Sequence, residues 1–180
     1  MDHTRRAVAN SGAGPILIIW GAVWLVGYLA THFLKDIEHK WMIYWVWWPL
    51  VATGMYGSWR IGSRIPFRSL FGKRIGIFWF ALFIYSDVWL VLLYPWNWVQ
   101  MNAFVATLVM FAYVVLGLLF GIYLLWLGIG VILLILLGYF LLQPWFFIWM
   151  AVMAGGTLMG TGIYIERKWK GLEAGDGGDQ

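Results

Sequence analysis

Apolar residues in this chain gather into blocks long enough to cross a bilayer, parted by short polar links. The first block, 14–34, follows a tail of small and polar residues, 1–13, whose only basic residues are Arg5 and Arg6. At a helical rise of about 1.5 Å per residue it reaches across about 30 Å of hydrocarbon. It exceeds the roughly 7–15 apolar residues of a signal-peptide core, so it reads as an uncleaved first span. The link Lys35-Asp36-Ile37-Glu38-His39-Lys40 leads to a second block, 41–59, in which Pro49 predicts a kink. A basic link with no acid, carrying Arg60, Arg64, Arg68, Lys73 and Arg74, precedes a third block, 75–94. Pro95-Trp96-Asn97-Trp98 has turn chemistry, since Pro ends the helix and Asn tolerates turn geometry. The uncharged stretch 99–165 has the length of three more spans, placed at 101–122, 126–142 and 145–165. The turns between them are expected near 123–128 and at Gln143-Pro144. A charged exit, Glu166-Arg167-Lys168-Trp169-Lys170, opens a terminal segment, 167–180, whose Gly- and acid-rich end is expected to be disordered.

The expected fold is therefore all-α: a polytopic integral membrane protein with six transmembrane helices arranged as three hairpins. Lys and Arg in the short flanking loops set its orientation. Six spans put the N-terminus, the Arg60–Arg74 loop, the turn near Tyr123 and the C-terminus on one side. That side then holds all but Lys35 and Lys40 of the 12 basic residues. Five or seven spans would place the cluster at Arg167, Lys168 and Lys170 on the far side. Both termini are accordingly expected in the cytoplasm, with a cell (plasma or inner) membrane as the location.

Composition agrees. The 180 residues are 63% hydrophobic and only 11% charged, far from the balance of a soluble domain. Aromatic residues reach 20%, as suits a protein whose Trp and Tyr settle at headgroup depth. The formal net charge of +4 could suggest nucleic acid, but the basic residues flank apolar spans, where membrane topology puts them, so no nucleic-acid partner is expected. The absence of cysteine excludes disulfides, thiolate metal sites and cysteine nucleophiles.

An internal pattern accompanies the spans. Gly57-Ser58-Trp59, Gly121-Ile122-Tyr123 and Gly162-Ile163-Tyr164 close the three hairpins on similar triplets, while Pro95-Trp96 and Pro144-Trp145 mark turns at the opposite ends. Gly27-Tyr28 and Gly138-Tyr139 echo one another in the first and fifth spans. Such repetition predicts a bundle with pseudo-three-fold symmetry about the membrane normal, unlike the inverted repeats of many transporters. The run from Leu127-Gly128-Ile129-Gly130 through Gln143-Pro144 to Gly160-Thr161-Gly162-Ile163-Tyr164 resembles the HdeD-type family of bacterial acid-stress membrane proteins. The resemblance covers the last third best and the Trp-rich first hairpin least. It implies a stress-related role and carries no catalytic residues.

Between Arg74 and Glu166 the single formal charge is Asp87, in the triplet Tyr85-Ser86-Asp87. It falls about 18 Å into the third span, just past the midplane. A charge at that depth costs at least about 2.5–3.5 kcal/mol on insertion scales, which marks an intramembrane acid as a candidate functional site. With no Lys or Arg at its level, a buried acid there is expected to be mostly neutral and to donate to neighbouring hydroxyls. Thr53, Tyr56, Thr107, Tyr113 and Thr157 are the candidates. Two readings follow: a proton- or cation-responsive site, or a hydrogen bond that ties helices together.

Three further groups stand out. His32, Asp36 and His39 have helical spacing that could present nitrogen and oxygen ligands to a divalent metal, against the simpler reading of a solvated loop beside Lys35 and Lys40. Gly117 and Gly121, and Gly156 and Gly160, have the small-xxx-small spacing that lets helix backbones approach within one chain or between protomers. The basic loop from Arg60 to Arg74 could lie on an anionic leaflet or simply orient the chain. Trp47, Trp48, Trp96, Trp98 and Trp145 read as interfacial belt residues, with an aromatic pocket as the alternative.

No nucleophile–base pair, phosphate loop or paired intramembrane histidine is present, so neither an enzyme nor a resident cofactor is expected. The sequence favours a structural, stress-related or accessory component of the membrane. Its partners would be the lipid bilayer and either a second copy or another membrane subunit. The alternative is the capture subunit of a small-molecule importer of the vitamin type, or a proton-sensitive transporter.

Overall fold

A computed structural model of the chain describes residues 13–36, 42–63, 70–92, 94, 95, 97–120 and 122–176. The regular structure is helical throughout, with no strand among the described residues. The helices are α1 (Ala13–Leu34), α2 (Met42–Ser63), α3 (Leu70–Leu92), α4 (Trp98–Phe120) and α5 (Ile122–Leu141). A final helical run begins with a 3₁₀ turn at Gln143–Trp145, where Pro144 needs no donor and Trp145 N–H bonds Leu142 O at 2.9 Å. It continues as α6 (Phe146–Trp149), a π-helical segment (Met150–Gly155) and α7 (Gly156–Asp176). Helix is the form a nearly uninterrupted Leu, Ile, Val and Trp sequence takes in hydrocarbon, because it pairs every backbone group within its own segment.

Five helices are long and apolar enough to cross a membrane: Gly14–Leu34, Arg74–Leu92, Trp98–Leu119, Ile122–Leu141 and Gln143–Arg167. α2 is as long as α1, but Pro49, its Gly and Ser residues, and Arg60 make it less apolar, and it is not among the five.

The described helices form two compact units, one of residues Met1–Ile65 with Met150–Gln180 and one of Pro66–Trp149. In the first, α1 is the centre, packing against α2, the π segment and α7. Glycines set the spacing. A Cβ added to Gly162 would lie 2.6 Å from Gly14 O, and one on Gly14 would lie 3.1 Å from Gly162 O. Gly21 and Gly155 repeat the relation two turns further along: a Cβ on the first would lie 2.8 Å from Gly155 O, and one on the second 3.0 Å from Gly21 O. Backbone touches backbone at both levels, in antiparallel register. Leu17, Tyr28, Met150, Ala151, Ala154 and Leu158 are buried around this seam.

In the second unit α4 and α5 make the tightest pair. Gly128 faces Met110 O, 2.8 Å from where its Cβ would stand, and Gly117 faces the backbone of Leu125. Gly138 forms a notch for the Trp149 indole, whose Nε1 donates to Leu134 O at 2.7 Å. α3 leans on α4 through Trp79, edge-on to Tyr113 at 5.8 Å between ring centres. Only 6% of the Arg74–Leu92 span is buried, against 22–44% of the other four, so α3 presents most of its surface outward.

Several expectations change. The turn expected near 123–128 lies inside α5, which starts at Ile122, because Leu, Trp and Ile there continue the helix through Gly128 and Gly130. α3 begins at Leu70, inside the stretch read as loop. The last helix continues to Asp176 rather than giving way to disorder after Lys170; Glu, Arg, Lys, Leu and Ala in 166–174 are strong helix formers. The tightest pairs, α1 with α7 and α4 with α5, join different expected hairpins, so the two-span repeat does not describe the packing.

Candidate functional site

The helical turn of 100° per residue divides the triplet on α3. Ser86 is buried, while Asp87 beside it is exposed, and Tyr85 is half exposed with its ring edge-on to Trp89, 6.2 Å between centres. The expectation of a buried acid is thereby corrected. Asp87 has no hydrogen bond or ion pair among the described residues, and it is exposed.

None of the expected hydroxyl partners bonds it. Within the same unit, the Thr107 hydroxyl donates to the carbonyls of Ala103 and Phe104 at 2.8 and 2.9 Å. Tyr113 meets α3 at Trp79, eight residues before Asp87 and about 12 Å away along the axis. In the other unit, Thr53 donates to Pro49 O at 2.8 Å, Tyr56 accepts from Arg60 Nη1 at 3.3 Å, and Thr157 donates to Met153 O. The three threonine hydroxyls donate to carbonyls of their own helical run, the nearest acceptors once water is absent.

Of the metal candidates, His32 lies at the end of α1 with its ring edge-on to Phe33, and Asp36 is exposed in the following turn. His39 lies outside the described residues, as does Glu38 beside it. Among the described residues no group of three or more His, Asp or Glu is close enough to hold a metal ion. In the basic stretch, Arg60 stands over the Tyr56 ring at 5.9 Å and Arg74 is exposed; Lys73 lies on α3, and Arg64 and Arg68 fall outside the described residues.

The glycine expectations divide. Gly117 does pack against a neighbouring backbone, but Gly156 and Gly160 meet nothing within 4 Å, and Gly121 lies outside the described residues. The packing glycines of the last helix are Gly155 and Gly162, and their partners are Gly21 and Gly14. A signal for them was present: both pairs are seven residues apart, the spacing that returns a residue to one helix face after two turns. The Trp belt changes too. Trp48 and Trp145 are exposed, but Trp47 lies over Gly27, donates from Nε1 to Thr31 Oγ1 at 2.9 Å, and meets Tyr28 edge-on. Thr31, fully buried, passes its own hydrogen to Gly27 O at 2.8 Å. Trp20 adds a second link between α1 and α2, Nε1 to Ser58 Oγ at 3.0 Å.

A shallow groove of about 220 Å³ runs between α4 and α5, lined by Gln100, Ala103, Phe104, Thr107, Leu136, Tyr139 and Phe140. It is open to one side and almost wholly apolar, with Gln100 the only amide.

These features define a class, an all-helical protein with five helices fit to cross a membrane. No family model, curated protein or solved structure matches the chain.

Proposed function

We propose that the chain is a six-span, multi-pass protein of the cell membrane with both ends in the cytoplasm, acting as a non-enzymatic structural or accessory component. α2 supplies the sixth span: its 22 residues reach about 33 Å, and counting it gathers the basic residues on one side. The observation that carries the functional reading is the fate of the polar groups. Among the described residues, Thr31, Thr53, Thr107 and Thr157 bond to carbonyls of their own helical run, and the indoles of Trp20, Trp47 and Trp149 bond to the helix beside them, so these polar groups serve packing rather than a polar path. The resemblance of the last third to HdeD-type proteins favours a stress-related setting for such a component.

Capture of a small molecule is the second reading, and the groove at Gln100 favours it. Its volume falls below the roughly 300–1,000 Å³ of common ligand pockets, and one amide offers little to orient a polar vitamin. One experiment separates the two. The full chain in lipid vesicles is expected to leave an imposed pH gradient as stable as in protein-free vesicles, and native mass spectrometry is expected to find lipid alone on it. Proton leakage abolished by Asp87→Asn would replace this reading with proton transport, and a stoichiometric non-lipid molecule would replace it with capture.

A further inference from the structure

Across Met150–Gly155 the last helical run is wound as a π-helix, with α6 before it and α7 after it. Each N–H of a π turn reaches back five residues rather than four, so the turn takes in one residue more than an α-helix would hold. The residues themselves do not ask for this. Ala and Met are among the strongest α-helix formers, and the nearest proline, Pro144, lies outside the segment. The cause lies in what is fixed at each end.

Upstream, the Trp149 indole fills the Gly138 notch and donates to Leu134 O at 2.7 Å, both on α5. Downstream, Gly155 lies against the backbone of Gly21 and Leu25, and Gly162 against Gly14, all on α1. Each anchor lies within its own compact unit, and the π segment joins the two through the chain.

A slip of one residue shows how the anchors hold the π turn. If the segment became α-helical with Trp149 in place, Ala154 would take the position of Gly155, and Thr161 that of Gly162. Each would bring a Cβ to where the α1 backbone leaves no room, 2.9 Å from Leu25 N at the first position and 2.6 Å from Gly14 O at the second. If it became α-helical with the glycine seam in place, Met150 would take the position of Trp149, and Leu134 O would lose the indole donor. Both registers are blocked while both anchors stand. The second opens as soon as the indole leaves.

We propose that Met150–Gly155 is a two-state register joint, π-helical while Trp149 occupies the Gly138 notch and α-helical once the indole leaves it. The slip advances the turn that carries Trp149 by one residue, about 100° around the axis, while the glycine seam stays as it is. Packed helices have discrete alternative arrangements rather than a continuous range, so an event at the notch becomes a rotation of the start of the last helical run.

The test follows amide hydrogen exchange of the full chain in detergent micelles by mass spectrometry, read on peptides covering 150–158. The α form replaces the rare i→i+5 ladder with the ordinary i→i+4 one. Trp149→Ala is therefore expected to slow exchange there by about tenfold, the size of one net hydrogen bond. A side chain that only packs would act the other way, since its loss loosens the backbone beside it. Gly138→Ala, which evicts the indole without removing it, is expected to slow exchange as well. Deletion of Val152, an exposed residue of the segment, takes out the extra residue and leaves both anchors, so it should slow exchange equally and keep the unfolding midpoint of the native chain. Deletion of Gly160, which lies in regular α7 with open space beside it, should instead turn Gly162 off Gly14 by about 100° and lower the midpoint. Unchanged or faster exchange over 150–158 in either indole variant that folds overturns the proposal. A Val152 deletion as damaging as the Gly160 deletion overturns it too, and that comparison stands even if neither indole variant folds.

Discussion

Gly155 and Gly156 are neighbours, and the structure assigns them opposite responses to the same substitution. A methyl group on Gly155 would stand 2.9 Å from Leu25 N, 3.0 Å from Gly21 O and 3.2 Å from Leu25 Cα, all backbone atoms of α1. The nearest falls about half an ångström short of ordinary contact, and no side-chain rotation can relieve it. The helices must part. A gap of 0.5–1 Å forfeits about a quarter to a half of each van der Waals well it opens, and these wells are the main attraction between helices in lipid. Overpacking of this kind costs about 1–3 kcal/mol, from which the helical preference of Ala over Gly returns about 0.5–1 kcal/mol. A methyl group on Gly156 meets nothing within 4 Å, so only the second effect remains. Gly155→Ala should therefore destabilise by about 1–2 kcal/mol, and Gly156→Ala should be neutral or stabilise by up to about 1 kcal/mol. Unfolding by titration of the micelle-bound protein with sodium dodecyl sulfate, followed by circular dichroism, measures both. Equal midpoints for the two variants, or a neutral Gly155→Ala, would refute the glycine seam.

Three other outcomes test separate parts of the structure. Gly138→Ala would put a methyl group 2.8 Å from Trp149 Nε1 and evict the indole from its notch; the expected loss of about 2–3 kcal/mol should shrink in a Trp149→Ala background, a coupling the double-mutant cycle reads directly. Trp47→Phe keeps a ring over Gly27 but loses the donor to Thr31 Oγ1, and should cost about 0.6–1 kcal/mol in the same titration; a loss above about 3 kcal/mol would mean the ring itself had moved. Asp87→Leu removes an exposed carboxylate that bonds nothing among the described residues, so it should leave the unfolding midpoint unchanged. In a glycosylation-reporter assay it should improve membrane insertion of the isolated α3 segment by about 2.5–3.5 kcal/mol.

Helix positions were legible in the order of residues because hydrocarbon leaves the backbone no alternative. Any apolar run of sufficient length must satisfy its N–H and C=O groups internally, and residue type alone decides that. The block at 14–34 thus matches α1 to within a residue, the block at 75–94 lies on α3 but misses its first five residues, and Pro144 marks the turn after α5. The error of position is the turn expected near 123–128, which lies inside α5 because an uncharged apolar stretch has no polar link to mark where one helix ends.

Which face of each helix packs was not legible, and the cause is the same uniformity. In a soluble helix the contrast of polar and apolar residues marks the buried side; a helix apolar all round carries no such mark. Gly155 and Gly156 are equivalent as sequence, as are Ser86 and Asp87 in depth, and a rotation of 100° sends one of each pair inward and the other out. The lone acid of the spans stood out at once as chemistry. Its direction required the tertiary structure, which leaves Asp87 exposed where a core hydrogen-bonding group was expected.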